Sequence, residues 1–241
     1  MALDIGSAIT DGAKRTFKKN GLIIAGLFFS ISILSTVASS SLIQALFDEG
    51  VIPSEYGVAE VPLALGISST ASGILLAATF VLSAIFALAS LRTLVSSETE
   101  TIPVEYFTRN IGWALLNLLV GGIAFSIALL FGLAAFIIPG LFILVSLYFW
   151  NVFVIVEDQN FIEAFKSSWN LTEGNRLELF GLGVIVVFIA LFASLAGNIV
   201  SWIFQLIGVP GVSMIVELIP NSFVSTFSIA TLAQAYNQLK E

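Results

Sequence analysis

The chain has 241 residues, is 58% hydrophobic and only 10% charged, and carries a formal net charge of −7 with a mean hydropathy of +1.03. With neither cysteine nor histidine, it excludes disulfides, Cys/His zinc sites and Ser-His or Cys-His nucleophiles, and leaves only oxygen ligands for a hard cation. Its acidity argues against nucleic-acid partners and a polybasic lipid anchor. So few charges cannot furnish a soluble domain's surface, which is about 25% charged. An acidic, lysine-poor chain also fits a salt-adapted prokaryote.

In chain order, the first expected element is an amphipathic helix over 4–18, whose basic end AKRTFKKN precedes the first apolar run. That run resembles a signal-peptide core as far as 34, but apolar residues resume through 42–47 and make it long enough to cross. Spans are expected at 21–47, 69–94, 111–137, 139–156, 177–207 and 220–236. A hydrocarbon core of about 30 Å requires about 20 helical residues. The runs are apolar all round rather than alternating, which excludes barrel strands, and lipid offers no partner to an open backbone. The expected fold is an all-α integral membrane bundle, one domain over 1–241, with six transmembrane helices as three hairpins.

The connections sort by charge. Lys14, Arg15, Lys18 and Lys19 precede the first span, and Arg92 and Arg109 bracket the link from the second to the third. Lys166 and Arg176 lie between the fourth and fifth, and Lys240 follows the sixth. With alternating spans, all nine Lys and Arg fall on one side, which places both termini in the cytoplasm of a multi-pass plasma-membrane protein. Tyr106, Trp113, Tyr148, Trp150, Trp169 and Tyr236 are expected near that border, and Tyr56 and Trp202 toward the other. A short helix is expected between Pro210 and Pro220, with Glu217 turned to water or into the bundle.

Phe17-Lys18-Lys19-Asn20 and Phe107-Thr108-Arg109-Asn110 share an aromatic, variable, basic, asparagine order, which Asn175-Arg176 inverts in the third lead-in. Two accounts fit: parallel two-span repeats, or the general attraction of a cation, an aromatic and a capping Asn to a cytoplasmic helix start. Small residues four apart, such as Thr79, Ser83 and Ala87, Ala124, Ala128 and Gly132, or Ala193, Gly197 and Ser201, are expected to let helices approach closely.

Between two apolar runs lies VEDQNFIEAFKSSWNLTEGN, at 156–175. Asp158 or Asn160 caps an expected helix over 160–171 that ends before Gly174-Asn175. Ile162, Phe165 and Trp169 share an apolar face, and Glu163 and Lys166 are expected to pair on the opposite flank. This helix is expected to lie in the cytoplasmic interface, with Arg109, Lys166, Trp169 and Arg176 as interfacial anchors. Glu157, Asp158, Glu163, Glu173 and Glu178 match no metal-loop spacing, so neither metal nor cofactor is expected.

The stretch from Pro139-Gly140 through Glu157, Glu163-Ala164, Lys166, Ser168-Trp169, Leu171-Thr172 and Gly174-Asn175 resembles prokaryotic multi-span proteins related to the membrane domain attached to some glycerophosphodiester phosphodiesterases. The clear likeness is confined to this part of the second half. The resemblance implies a six-span membrane fold and no enzyme, because the phosphodiesterase domain is absent and no histidine exists to serve one.

Three functional classes follow. The first is a non-enzymatic scaffold, partner subunit or envelope-organising factor, with membrane lipids and other membrane proteins or a second copy as partners; no ionisable residue is expected at mid-depth in a span. The second is a transporter or channel for a small neutral or lipid-like solute, with Asn117, Asn198 and Gln205 lining a polar cavity. The third is an enzyme presenting Glu157 and Asp158 to lipid headgroups.

Overall fold

The structure, a computed structural model, describes residues 2–53 and 60–241; Tyr56, expected on the outer side, lies outside the described residues. Among the described residues all regular structure is helical. The elements are α1 (Ile5–Thr16), α2 (Lys19–Asp48), α3 (Ser69–Val95), a 3₁₀ turn (Val104–Phe107), α4 (Ile111–Ala135), α5 (Ile137–Ser146) and α6 (Trp150–Val156). They continue with α7 (Phe161–Leu171), α8 (Arg176–Leu206), α9 (Pro210–Val216) and α10 (Leu218–Lys240). Among the described residues six stretches are long and apolar enough to cross a bilayer: α2, α3, α4, α5 with α6, α8, and α9 with α10. Large apolar side chains such as Phe80, Phe131 and Phe192 lie exposed on them, a surface suited to hydrocarbon rather than water. These are the features of a multi-pass membrane protein.

The chain forms two compact units. One comprises Met1–Ile23, Ala87–Ile189 and Thr226–Glu241, and the other Ile24–Phe86 and Ala190–Ser225. In the second unit polar side chains organise the ends of helices. Ser41 Oγ and Gln44 Oε1 of α2 accept the Leu65 and Val61 N–H groups, and Glu49 Oε1 accepts the Ser69 N–H at the start of α3. That interaction with Ser69 holds the Glu49 carboxyl below the usual carboxylate range. The expected short helix between two prolines is α9, with Pro210 in its first turn. Of the two orientations open to Glu217, the structure has it half-buried and accepting from Ser201 Oγ of α8 at 3.5 Å.

The first unit is built on one apolar cluster in which Leu3, Leu88, Leu91, Phe149, Phe153, Leu179, Leu182 and Tyr236 are buried together. Tyr236, expected as a border aromatic, is part of this core: its ring lies 5.8 Å from Phe149 and 5.5 Å from Phe153. Helix α1 reaches the core by close approach to α10, where a Cβ on Gly12 would lie 2.4 Å from Thr231 Oγ1 and 2.9 Å from its Cα. Only glycine fits there. Asp4 caps α1, accepting the Ser7 N–H. In α4, Gly132 of the small-residue ridge faces Gly140 of α5, where a Cβ would fall 2.9 Å from the opposing Cα.

The fourth apolar stretch departs from the expected single helix. It breaks at Leu147-Tyr148-Phe149, between α5 and α6, without a proline at the break. An interrupted helix frees backbone groups that apolar surroundings cannot satisfy. Helix α7 supplies partners: Ser168 Oγ accepts the Phe149 N–H at 3.1 Å and donates to the Ser146 carbonyl at 3.1 Å, and Thr172 Oγ1 donates to the same carbonyl at 3.2 Å. Ser168 and Thr172 are fully buried. Phe142 of α5 lies beside Arg176 of α8, and Tyr148, in the break, lies nearest Gly183 of the same helix.

Ser168→Ala removes both bonds at the break and leaves a buried N–H unpaired. It should lower unfolding stability in detergent by about 1–3 kcal/mol, whereas Ser167→Ala, outside this network, should leave it within about 0.5 kcal/mol. Equal effects from the two substitutions would argue that Ser168 does not bridge the break.

Candidate functional site

In the first unit the ends of several helices meet in a polar belt organised by two buried arginines. Arg15, at the end of α1, is 7% exposed and Arg92, in the last turn of α3, is 3% exposed. An α-helix leaves its last four carbonyls without intrahelical partners, and both guanidinium groups serve this need. Arg15 Nη2 donates to the carbonyls of Thr93 and Ser96 at 2.9 Å each, and to that of Glu98. Asn237 Nδ2 of α10 adds a bond to the Val95 carbonyl at 3.0 Å. The end of α3 is thus closed by side chains from α1 and α10. Burial lowers the Arg15 pKa while the Glu98 carboxylate opposes the shift.

Arg92 works in the other direction, from α3 outward. Its Nε donates to the Ile155 carbonyl in α6 at 2.8 Å, and its Nη1 donates to the carbonyls of Tyr106 and Arg109 at 3.0 and 2.8 Å. Its Nη2 lies 3.7 Å from Asp158 Oδ1. Asp158 has φ +55°, a left-handed conformation that Asp tolerates better than bulkier residues. Its carboxylate is bound by Arg109 through Nε at 2.9 Å and also through Nη2. Its carbonyl accepts Trp113 Nε1 at 3.2 Å. The start of α4 and the end of α6 are therefore held at one level.

The neighbouring acid has its own partners. Glu157 accepts the Tyr236 hydroxyl and lies 2.7 Å from Lys240 Nζ. Among the described residues no group of three acids gathers at metal-binding spacing. Glu157 and Asp158 are occupied by cations and a phenol of the chain itself.

The expected anchors divide. Arg109 belongs to the belt. Trp169 and Arg176 form a separate pair: the Arg176 guanidinium lies 4.8 Å from the Trp169 ring and 4.6 Å from the Phe142 ring. Lys166 lies beside Trp169 in a recess with Leu147, Phe165 and Asn170. Asn160 is the residue that caps α7, accepting the Ile162 and Glu163 N–H groups. Glu163 and Lys166 form no ion pair. The Ile162, Phe165 and Trp169 positions are solvent- or lipid-accessible to different degrees: Ile162 and Trp169 are exposed, and Phe165 is half-buried against Trp150.

The polar-cavity residues are placed separately. Asn117 is buried in α4, donating to the Trp113 carbonyl and accepting the Phe161 N–H at 3.0 Å. It completes the first turn of α7. Asn198 and Gln205 lie in the other unit, both exposed on α8, with Asn198 donating to the Ser194 carbonyl. The matched lead-in asparagines also differ: Asn20 is fully buried and its N–H donates to the Thr99 carbonyl, while Asn110 is exposed with φ +47° and no side-chain cap bond.

Sequence reasoning missed Arg15 and Arg92 as structural centres, treating them only as topological charges. The available signal for Arg92 was a base in the last turn of an otherwise apolar helix, where it complements the carbonyl end. Arg92→Ala should cost about 3 kcal/mol or more of unfolding stability, because three carbonyls and a carboxylate lose a buried partner. Arg109→Ala, whose side chain is 46% exposed, should cost about 1 kcal/mol or less. Denaturant unfolding in detergent micelles orders the two; a larger loss for Arg109→Ala would overturn this assignment.

Residues 3–239 match the family described as a domain of unknown function, DUF7847, and the chain belongs to that family. No curated protein and no solved structure matches it.

Proposed function

We propose that this is a non-catalytic integral membrane scaffold or partner subunit. In this reading it crosses the plasma membrane six times as three hairpins, has both termini in the cytoplasm, and carries α1 and α7 along the inner interface. The observation that carries the reading is the polar belt. Its ionisable groups bind helix-end carbonyls and one another, and so join α1, α3, α4, α6 and α10. The clustering of all nine basic residues in connections of one parity supports the orientation. Kinship with the membrane domains attached to glycerophosphodiester phosphodiesterases belongs to the same reading.

A transporter for a small neutral or lipid-like solute is the second reading, favoured by the interruption at 147–149, since broken helices line solute sites in transporters. Against it, the freed groups at that break bond to Ser168 and Thr172.

Glu60 and Glu173 are exposed. In intact cells a membrane-impermeant maleimide should label Glu60→Cys, and should label Glu173→Cys only after permeabilisation; labelling of both from one side would refute the orientation. Gentle extraction at native expression should yield a complex of fixed stoichiometry with a second protein or a second copy. A strictly monomeric, unaccompanied chain would overturn the scaffold reading, and uptake of glycerol or a similar neutral solute into proteoliposomes above the empty-vesicle rate would favour the transporter.

A further inference from the structure

The fourth apolar stretch is fastened at both ends to groups that the proposed orientation places on one side of the membrane. At its far end Phe142 lies 4.6 Å from the Arg176 guanidinium, and Ile138 and Leu141 line the same recess as Arg176 and Leu177. Asn175, next in the chain, accepts the Leu3 N–H at 2.8 Å ahead of α1. The following Asp4 N–H donates to Gln238 Oε1 in the last turn of α10 at 3.2 Å. At the near end of the stretch Glu157 lies 2.7 Å from Lys240 Nζ, in the same turn as Gln238. One end of α10 thus reaches both ends of the stretch, the near one directly and the far one through the lead-in to α1 and the turn before α8.

A stretch that crossed the bilayer would hold its ends about 30 Å apart along the membrane normal. Arg176 would then have to stand deep in hydrocarbon to meet Phe142. Helix α7 would be drawn in with it, because Phe165 packs on Trp150, Ser168 on the break, and the Trp169 ring on Phe142 at 5.4 Å. Glu163 and Lys166 of α7 are exposed, as is Glu173 just beyond it, and charges facing lipid at such depth are costly. Helix α4 goes with the stretch: Gly132 packs against Gly140, and Trp113 near the start of α4 bonds to the Asp158 carbonyl. The turn between them, Phe136-Ile137-Ile138, is exposed and has no polar side chain, which suits hydrocarbon rather than an outer headgroup layer. We infer that α4 and α5 with α6 form a re-entrant hairpin that enters and leaves the bilayer by its cytoplasmic face. Its exposed apolar side meets acyl chains, and α7 packs on it with charges turned to water. Four stretches then cross: α2, α3, α8, and α9 with α10. Dropping two consecutive crossings leaves every Lys and Arg on the side it had, so the charge distribution fits both counts. The contacts of Arg176 favour four.

This inference rests on the membrane and orientation parts of the proposed function and replaces its third and fourth crossings. The chain has no cysteine, so introduced thiols report alone. Ile138→Cys combined with Leu177→Cys, both at exposed positions, should be joined within one chain by a short bismaleimide in native membranes, read as a mobility shift on a denaturing gel. Six crossings would separate the two thiols by most of a hydrocarbon core of about 30 Å, beyond the reach of the reagent. Ile138→Cys alone should resist an impermeant maleimide that labels Glu60→Cys on intact cells, while a lipid-soluble maleimide shows the thiol to be free. Absence of the link within one chain, or labelling of Ile138→Cys from outside, would overturn the inference. Labelling of Glu173→Cys from outside, or failure of Glu60→Cys to label there, would instead refute the orientation on which it rests. If the double variant fails to fold, the single variant decides the matter.

Discussion

A helix that ends among apolar neighbours must still satisfy its last carbonyls, and in this protein buried guanidinium groups from distant parts of the chain meet that demand. Arg15 closes the end of α3 and Arg92 closes the end of α6. A guanidinium presents five N–H donors in a fixed plane, remains charged at any physiological pH, and is less strongly hydrated than an ammonium. One such group can therefore bind three carbonyls whose positions are set by three different segments, as Arg92 does with Ile155, Tyr106 and Arg109. The rest of the first unit follows from this. Helix α1 must dock closely enough to deliver Arg15, and Gly12 against Thr231 permits it.

The break in the fourth apolar stretch obeys the same rule by other means. Its freed groups are neutral, and hydroxyls of α7 complete them. Helix α7 is thereby positioned by Asn117 at its start and by Ser168 and Thr172 along its buried side. This orientation leaves Trp169 on the outside, where it meets Arg176 and Phe142. The internal polar groups thus consolidate the fold, while the Arg176 guanidinium bonds to the Trp169 carbonyl and stacks on aromatic rings.

Much of this was legible residue by residue. Local rules narrowed the cap of α7 to Asp158 or Asn160, of which the structure uses Asn160, and pointed to the short helix following Pro210 and the small-residue contacts at Gly132 and Gly197, the latter packed against Pro220. Rules that depend on sequence neighbours alone were less reliable for side-chain pairing. Glu163 and Lys166 are three apart and do not pair, while Arg109 and Asp158, 49 residues apart, do. The weak i, i+3 attraction of exposed charges yields to a partner that is already partly desolvated. Likewise Asn20 and Asn110 occupy matching sequence positions, but only Asn20 is enclosed by the chain that follows α3.

The sequence by itself determined the number and order of the apolar stretches, because hydrocarbon thickness and backbone satisfaction act on any long uncharged run regardless of what surrounds it. It also marked where charge would gather. The tertiary structure alone decided which polar groups are enclosed, where the fourth stretch breaks, and which cations meet carboxylates. Those outcomes depend on donors and acceptors brought within about 3 Å of each other from remote positions, and neither hydropathy nor periodicity carries that distance.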